Sequence, residues 1–424
     1  MERIIINGGI PLRGEVSICG AKNSVVGLLP AALLAEEGVC VIENIPGISD
    51  VSMMFSILES LGAKVRNINA NTVEIDSTNI TANVVPYEMS KSLRASYYFL
   101  GALLGRFQNA HVAMPGGCDF GTRPIDQHIK SFEALGATIV TDDEMVVHAT
   151  ADKLIGSTVY MDVVSVGATI NAMLTAVKAK GLTVIENAAR EPHIVDIANF
   201  LNAMGANIRG AGTDTIKING VDKLHGCSYS VVPDQIEAGT YMAAVVATGG
   251  KALIKNVTPK HLESIMAKLI ECGATIEEYD DSLLISREKP LVRCNVKTMP
   301  HPGFPTDMQP QFTALLSVAS GVSVVTESVW DNRYRYVEQL INMGAQISVD
   351  GSIATVTGVE KLRGTRVGAT DLRAGAALII AGLCAEGTTT IEKIEYIERG
   401  YENIVEKFSA LGADIKRVSI PDNE

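Results

Sequence analysis

The sequence has no surplus of positive charge. Its 36 lysines and arginines are outnumbered by 48 aspartates and glutamates, which gives a formal net charge of −12. Nucleic acids and anionic membranes attract basic patches and tails, so this composition argues against either as the main partner. Cations that bind an anionic ligand must therefore be concentrated locally.

Long apolar runs and paired cysteines are also missing. The longest uncharged run, from Met308 to Thr326, contains two glutamines, a proline and a glycine, and we interpret it as a buried helix followed by a strand. The seven cysteines are odd in number and form no CxxC pair, which is typical of a reducing cytosol. The first residues, MERIIINGG, indicate a strand rather than a signal peptide. The sequence thus predicts a soluble cytoplasmic protein.

Two common ligand signatures are absent. The sequence contains no phosphate loop of the GxxxxGK[ST] type. Its histidines, cysteines and aspartates show no spacing typical of a metal site, so we expect no metal.

One pattern recurs six times along the 424 residues. An apolar helix face ends at a glycine-alanine step and a strand follows, as in ILESLGAKV and FEALGATIV. Each glycine fits the left-handed position that closes a helix. The glycines lie roughly 70 residues apart and are Gly62, Gly136, Gly205, Gly273, Gly344 and Gly412.

Each repeat also carries a second helix that is apolar on nearly every side, such as NSVVGLLPAALLA or LRAGAALIIAGLCA, and must be buried. The pattern therefore predicts two inside-out α/β domains, each of three repeats with buried helices and outer sheets. The expected domains are 22–232, and 1–21 together with 233–424, with a hinge and cleft where the chain crosses. A strand-helix solenoid is the alternative, but the period is long and the terminal copies lack polar caps.

The stretch PGGCDFGTRPIDQH, residues 115–128, is the candidate centre of the chemistry. Its glycines predict a loop that holds Cys118 and Arg123, and Asp126 and His128 open the next helix. A guanidinium near a thiol favours the thiolate and binds oxyanions. The alternative is a glycine-rich turn with an inert thiol.

Charged residues stand where the buried helices begin. Lys22, Arg94 and Arg373 oppose the helix dipole there, which favours an anion site over a solvated charge. Asp371 fits an N-cap better than a catalyst. Asp307 follows three prolines that fix its direction, so it is either a general base or an N-cap.

Several motifs together closely resemble those of the UDP-N-acetylglucosamine 1-carboxyvinyltransferases, in the enolpyruvyl transferase family. The resemblance covers essentially the whole chain, and the PGGC loop is its most specific part. The motifs are GAKNS (20–24), LRAS (93–96), PGGCDFGTRPIDQH (115–128), VSVGAT (164–169), ENAAREP (186–192), FPTDMQ (304–309), ATDLRA (369–374) and RGYE (399–402). The family's two inside-out domains agree with the repeat pattern.

The resemblance implies transfer of the enolpyruvyl group of phosphoenolpyruvate to the sugar 3′-hydroxyl, with release of phosphate and without a cofactor. It implies catalytic roles for Cys118, Asp307, Lys22 and Arg399, and alkylation of Cys118 by fosfomycin. The implied partners are the two substrates, with no nucleic acid or membrane, and we expect the protein to be a monomer or weak oligomer. The implied substrate-binding residues are Lys22, Asn23, Arg94, Arg123, Pro124, Ile125, Asp126, Gln127, His128, Ser165, Val166, Gly167, Asp307, Val329, Arg333, Asp371, Arg373 and Arg399.

Two departures distinguish this sequence from many members of the family. Val163 stands where they have a lysine, and Gln235 where they have an arginine. Both remove a cation near the nucleotide and resemble the second paralogue of some Gram-positive bacteria. The alternatives are a transferase acting on shikimate 3-phosphate, whose family lacks the PGGC loop, and a non-catalytic paralogue that binds the nucleotide sugar.

Overall fold

The chain folds as two compact units. The computed structural model describes residues 2–114 and 125–419. The terminal unit comprises Met1–Cys19 and Pro233–Glu424, and the inserted unit comprises Gly20–Val232. Each unit has its own hydrophobic core.

In the described residues of both units, helices that are buried on nearly every side largely alternate with helices that expose part of their surface to solvent. In chain order they are α1 (Lys22–Ala32), α2 (Ser49–Ser60), α3 (Tyr87–Ser92), α4 (Tyr98–Phe107), α5 (Asp126–Ala134), α6 (Val166–Ala176), α7 (Pro192–Ala203), α8 (Gln235–Thr248), α9 (Glu263–Glu271), α10 (Gln309–Leu316), α11 (Val337–Asn342), α12 (Leu372–Cys384) and α13 (Ile404–Ala410). No helix in residues 2–114 or 125–419 is long and apolar enough to span a lipid bilayer.

The strands are short and equally regular. In chain order they are β1 (Glu2–Asn7), β2 (Arg13–Ser17), β3 (Ala35–Glu37), β4 (Cys40–Glu43), β5 (Lys64–Asn69), β6 (Thr72–Asp76), β7 (Asn109–Ala113), β8 (Thr138–Thr141), β9 (Val146–Thr150), β10 (Thr158–Tyr160), β11 (Leu182–Glu186), β12 (Asn207–Arg209), β13 (Thr215–Asn219), β14 (Leu224–His225), β15 (Ser228–Ser230), β16 (Lys251–Lys255), β17 (Thr275–Glu278), β18 (Ser282–Ser286), β19 (Val296–Lys297), β20 (Val322–Thr326), β21 (Gln346–Asp350), β22 (Ile353–Thr357), β23 (Arg366–Gly368), β24 (Thr388–Glu392) and β25 (Asp414–Ser419).

Most of the sheets in the described residues follow one scheme. The terminal unit has sheets β23-β24-β1-β25, β17-β18-β16-β2 and β19-β20-β22-β21, and in each of them one parallel pair adjoins antiparallel strands. In the inserted unit, sheets β10-β11-β13-β12 and β15-β4-β6-β5 have the same order, and β7-β9-β8 and the pair β14-β3 complete it. The N-terminal strand β1 pairs with β24 and β25, so the two ends of the chain share one sheet.

The apolar helices are buried, as the sequence predicts. Helices α8, α10 and α12 pack against one another in the terminal unit, and α4 packs against α1 and α6 in the inserted unit. Close approach is possible because a glycine faces the neighbouring helix: a Cβ on Gly101 of α4 would lie 2.5 Å from Asn171 Oδ1 of α6. The observed arrangement confirms the inside-out α/β fold.

The glycines of the glycine-alanine steps adopt the predicted conformation. All six have positive φ, between 85° at Gly412 and 101° at Gly205 and Gly273. The sequence predicts one apolar face on the helix before each glycine-alanine step, but α7 is buried more extensively than that, because it packs against both α1 and α6.

Candidate active site

The inserted unit places Lys22 at the first position of α1, as the sequence predicts. Its Nζ lies 2.8 Å from Oδ2 of Asp50 in the first turn of α2, and both side chains are largely buried. A carboxylate of the protein thus offsets the cation that opposes the helix dipole. Asn23 follows on the same turn and is half-buried. Sequence reasoning missed Asp50, whose only local signal is an acidic residue in a first helical turn.

Arg94 lies one step before a buried helix rather than on it. It begins a short 3₁₀ helix, Arg94–Tyr97, and α4 starts at Tyr98. The Arg94 side chain is exposed, so its charge remains accessible to solvent.

The described part of the PGGCDFGTRPIDQH motif, residues 125–128, lies at the start of helix α5. The helix begins at Asp126, as expected, and Ile125 is its N-cap residue. Gln127 is buried and joins α5 to the segment before α6: its Oε1 accepts from the Asp162 N–H (2.9 Å) and its Nε2 donates to Asp162 Oδ2 (3.1 Å). Lys130 adds an ion pair to Asp162 at 2.7 Å. Cys118, Arg123 and Pro124 lie outside the described residues.

His128 contacts both α6 and the 3₁₀ helix that precedes α4. Asn171 Nδ2 donates to His128 Nδ1 at 2.8 Å, and the imidazole makes an edge contact with the Tyr97 ring. Burial, together with the charge of Arg94, lowers the pKa of His128 to about 4, and Asp126 only partly opposes this. His128 is therefore neutral near pH 7, when its Nδ1 can accept the amide hydrogen bond.

The start of α6 packs directly on this imidazole. Ser165 is the N-cap of α6, and its hydroxyl accepts from the Ala168 N–H at 3.3 Å. A Cβ on Gly167 would lie 3.0 Å from His128 Cε1 and Nε2, so the absence of a side chain lets Gly167 approach the ring. Val166 is the first residue of the same helix. Val163 is 61% exposed, so one of the two residues that depart from the family pattern lies on the surface.

The terminal unit holds Asp307 between two arginines. Asp307 lies in a short 3₁₀ helix, Thr306–Met308, just before α10. Arg333 Nη2 is 3.1 Å from its Oδ1, and Arg373 Nη2 is 3.1 Å from its Oδ2. Burial raises the pKa of Asp307, but the charges of Arg373 and Arg333 outweigh it and hold the pKa well below its usual range. The carboxylate is ionised at neutral pH.

The N-cap alternative for Asp307 is wrong, because Pro305 occupies that position of the 3₁₀ helix and Met308 that of α10. Asp371 is an N-cap, as expected. Its Oδ1 accepts from the N–H groups of Arg373 (2.9 Å) and Ala374 (3.0 Å) at the start of α12.

Arg373 is fixed by its surroundings. It is 4% exposed, and its guanidinium carbon lies 5.5 Å from the centre of the Tyr401 ring. Arg399 is half-buried in the turn before α13, two residues from this tyrosine. The sequence-predicted residues Asp307, Arg333 and Arg373 thus form one cluster, and sequence reasoning missed Tyr401 within it.

Val329 lies in an ordered turn after β20. Its N–H donates to Oε1 of Glu327 at 2.8 Å, and the Trp330 N–H donates to the same oxygen at 3.1 Å. Glu327 is 3% exposed and was not among the predicted site residues. Within residues 2–114 and 125–419, no group of three His, Cys, Asp or Glu side chains could hold a metal ion.

Two units of repeated strands around buried helices, with cations and carboxylates at the helix starts, agree with the architecture that the resemblance to enolpyruvyl transferases implies. Comparison with known proteins agrees. Residues 6–408 match the sequence profile of the family described as EPSP synthase (3-phosphoshikimate 1-carboxyvinyltransferase). The chain belongs to this family of enolpyruvyl transferases.

Individual relatives are similar over their full length. The chain is 59% identical to UDP-N-acetylglucosamine 1-carboxyvinyltransferase 2 of Clostridium acetobutylicum, over 99% of this chain and 100% of that protein. It is 56% identical to UDP-N-acetylglucosamine 1-carboxyvinyltransferase 3 of Caldanaerobacter subterraneus subsp. tengcongensis, with the same coverage. The crystal structure of the enolpyruvyl transferase NikO from Streptomyces tendae superposes with a TM-score of 0.89 at 27% identity, covering 99% of both chains.

Proposed function

We propose that the protein transfers the enolpyruvyl group of phosphoenolpyruvate to the 3′-hydroxyl of UDP-N-acetylglucosamine and releases phosphate. The observation that carries this proposal is the full-length identity of 59% and 56% to two proteins named for that reaction. The reaction is the first committed step of peptidoglycan synthesis. We therefore infer a role in cell wall biogenesis, cell shape and division, and a cytoplasmic location.

The proposed reaction is an addition followed by an elimination. The 3′-hydroxyl oxygen attacks the enol carbon of phosphoenolpyruvate, the hydroxyl proton is accepted by a base, and the neighbouring methylene carbon gains a proton. The resulting tetrahedral ketal then loses a proton from the new methyl group, and the bond to the phosphate oxygen breaks. The products are the enolpyruvyl sugar nucleotide and inorganic phosphate.

Asp307 is the proposed base toward the 3′-hydroxyl. Its carboxylate is ionised and oriented by Arg333 and Arg373, each at 3.1 Å, so it can accept a proton as the new bond forms. The same negative charge stabilises the oxocarbenium character that develops at the enol carbon. An anionic substrate that draws either guanidinium away raises the pKa of Asp307 and makes it a stronger base.

Cations bind the acidic substrate in this proposal. Lys22, Arg94, Arg123 and Arg399 hold the phosphate and carboxylate of phosphoenolpyruvate, and Asn23, Asp371 and Arg373 lie beside the reacting carbon. Arg94 is exposed and Lys22 stands at a helix N-terminus, two features that suit anion binding.

Cys118 is the proposed acid that protonates the methylene carbon, and the target of fosfomycin. The nucleotide sugar is assigned to residues 123–128, Ser165, Val166, Gly167, Val329 and Arg333. The ordered N-terminus of α6 against His128 and the turn at Val329 support that assignment. Because Val163 is an exposed apolar residue, it provides no cation for the diphosphate.

Phosphate release from phosphoenolpyruvate tests the proposal, with UDP-N-acetylglucosamine or shikimate 3-phosphate as acceptor. We expect release with the nucleotide sugar alone, and its loss after fosfomycin treatment. Phosphate release with shikimate 3-phosphate instead would support 3-phosphoshikimate 1-carboxyvinyltransferase activity, after which the matching family profile is named. Binding of the nucleotide sugar without any release would support a non-catalytic paralogue.

A further inference from the structure

Glu327 differs from the residues that occupy the same place in other repeats. Strands β4, β11, β20 and β24 end in similar sequences, with Glu43, Glu186, Glu327 and Glu392 at or just after the last position. Glu43 and Glu186 are exposed, Glu392 is half-buried, and Glu327 is 3% exposed. A buried carboxylate needs several hydrogen bonds to offset its lost hydration.

Its two oxygens face different segments. Oε2 accepts from the Thr306 hydroxyl at 2.9 Å, and Thr306 immediately precedes Asp307. Oε1 accepts from the N–H groups of Val329 (2.8 Å) and Trp330 (3.1 Å). One carboxylate thus contacts both the segment of the proposed base and the turn proposed to bind the nucleotide sugar.

Thr298 extends the second set of contacts. Its hydroxyl donates to Glu327 Oε1 at 2.7 Å and accepts from the Ser328 N–H at 2.9 Å. Thr298 is fully buried, so these bonds are shielded from water. The backbone of residues 328–330 is therefore held by three N–H groups bound to two buried side chains.

A second link joins the same two segments. Arg333, six residues after Glu327, donates to Asp307 Oδ1 at 3.1 Å. Both ends of segment 327–333 are therefore hydrogen-bonded to segment 306–307. Glu327 accepts from Thr306, and Arg333 donates to Asp307. Such double attachment restricts the rotation of the Asp307 carboxylate.

We propose that Glu327 is a positioning residue of the transfer reaction, fixing the Asp307 carboxylate through Thr306 and the Val329 turn through its other oxygen. This inference rests on the proposed function. Glu327 acts through Asp307 and Val329 and does not itself touch the substrates. A displacement of about 1 Å at a reacting group can slow turnover on the order of a hundredfold. Loss of the Glu327 carboxylate is therefore expected to lower the rate of the chemical step.

Matched isosteric substitutions can separate the effect of the Glu327 contact with Thr306 from the effect of its contacts at the Val329 turn. Thr306→Val removes the hydroxyl on the Asp307 side, and Thr298→Val removes the one on the Val329 side. We expect Thr306→Val to lower kcat about tenfold with little change in the KM for UDP-N-acetylglucosamine, and Thr298→Val to raise that KM about tenfold with little change in kcat. Glu327→Ala is expected to do both.

Glu327→Gln is the conservative control. Its amide oxygen can accept the bonds made to Oε1, and its amide nitrogen can donate to the Thr306 hydroxyl, which can also act as an acceptor. We expect kcat and KM within about threefold of the wild-type values. Circular dichroism and thermal denaturation of each variant show whether it is folded at the assay temperature.

The kinetic pattern decides the question. The opposite split of kcat and KM in the two threonine variants, with recovery in Glu327→Gln, supports the positioning role. A folded Glu327→Ala enzyme with wild-type kcat and KM would overturn it, as would an equal loss of active enzyme in all four variants with unchanged KM. A wild-type protein that releases no phosphate would overturn the proposed function and this inference together, whereas an active wild type with unaffected variants would overturn this inference alone.

Discussion

Arg373 and Asp307 form an ion pair between residues 66 positions apart in the sequence, with Nη2 and Oδ2 separated by 3.1 Å. The arginine lies in the first turn of a buried helix, where its charge opposes the helix dipole, and the aspartate precedes another. The pair compensates both charges. It also keeps the proposed base ionised and oriented before any substrate binds.

Removal of one arginine is expected to shift the acid limb of the pH profile. Arg373→Gln takes away the charge that most lowers the pKa of Asp307, so that pKa rises and protonation begins at higher pH. The acid limb of kcat/KM therefore moves to higher pH, with a lower plateau, and Asp307→Asn should reduce kcat on the order of 10²–10⁴-fold. An unchanged acid limb in Arg373→Gln would contradict the assignment of Asp307 as the base.

The contact between Lys22 and Asp50 predicts a stability effect in the inserted unit. Lys22→Met leaves the largely buried Asp50 carboxylate without this partner, so the free energy of unfolding should fall by about 1–3 kcal/mol. Adding Asp50→Asn removes the uncompensated charge and should restore part of the loss. Urea denaturation of the four proteins of this cycle measures the coupling, and strictly additive effects would contradict it.

His128 predicts a stability that falls in mild acid. Its pKa is about 4 in the folded protein, below the ordinary 6.5, so the unfolded chain binds more protons between these values. Its stabilising contribution is complete above about pH 6.5 and is lost as the pH falls toward 4, with a slope of at most about 1.4 kcal/mol per pH unit. His128→Gln should flatten the slope of unfolding free energy against pH between these two values. An unchanged slope in His128→Gln would contradict the account.

Asp371 allows its capping role to be separated from its proposed catalytic surroundings. Asparagine caps helices as well as aspartate does, so Asp371→Asn should leave the free energy of unfolding nearly unchanged, and Asp371→Ala should lower it by about 0.5–2 kcal/mol. Turnover should fall in both variants, since neither keeps the negative charge that we propose to lie beside the reacting carbon. Wild-type turnover in Asp371→Asn would show that only the cap matters.

Local patterns predicted the fold because the helices, turns and strands of each repeat follow from residues that are close together in the sequence. Gly62 and its five equivalents adopt positive φ where the glycine-alanine steps predict it, and Lys22 and Asp126 begin their helices as expected. The capping of α12 by Asp371 was predictable because an N-cap side chain bonds to N–H groups only two or three residues further on. These features depend on neighbours within a few residues.

Pairings between distant segments were not predictable in the same way. Nothing in the sequence near Lys22 identifies Asp50 as its partner, and nothing near Asp307 shows that two arginines, rather than a helix terminus, engage it. Glu327 carried a signal, since it repeats the glutamate that ends other strands, but only burial distinguishes it from Glu43 and Glu186. The repeat predicts a glutamate at this position, and only the packing shows the contacts from which we propose its role.

Identification of the product tests the central claim most directly. Phosphoenolpyruvate labelled with carbon-13 at the enol carbon is incubated with UDP-N-acetylglucosamine and the wild-type protein, with Cys118→Ser and Asp307→Asn as controls, and the products are followed by NMR and mass spectrometry. The account predicts an enol ether on the 3′-oxygen of the sugar, formed with one equivalent of phosphate by the wild type and greatly slowed in both variants. Recovery of unchanged UDP-N-acetylglucosamine, or attachment of the label only to shikimate 3-phosphate when that acceptor is supplied, would contradict it.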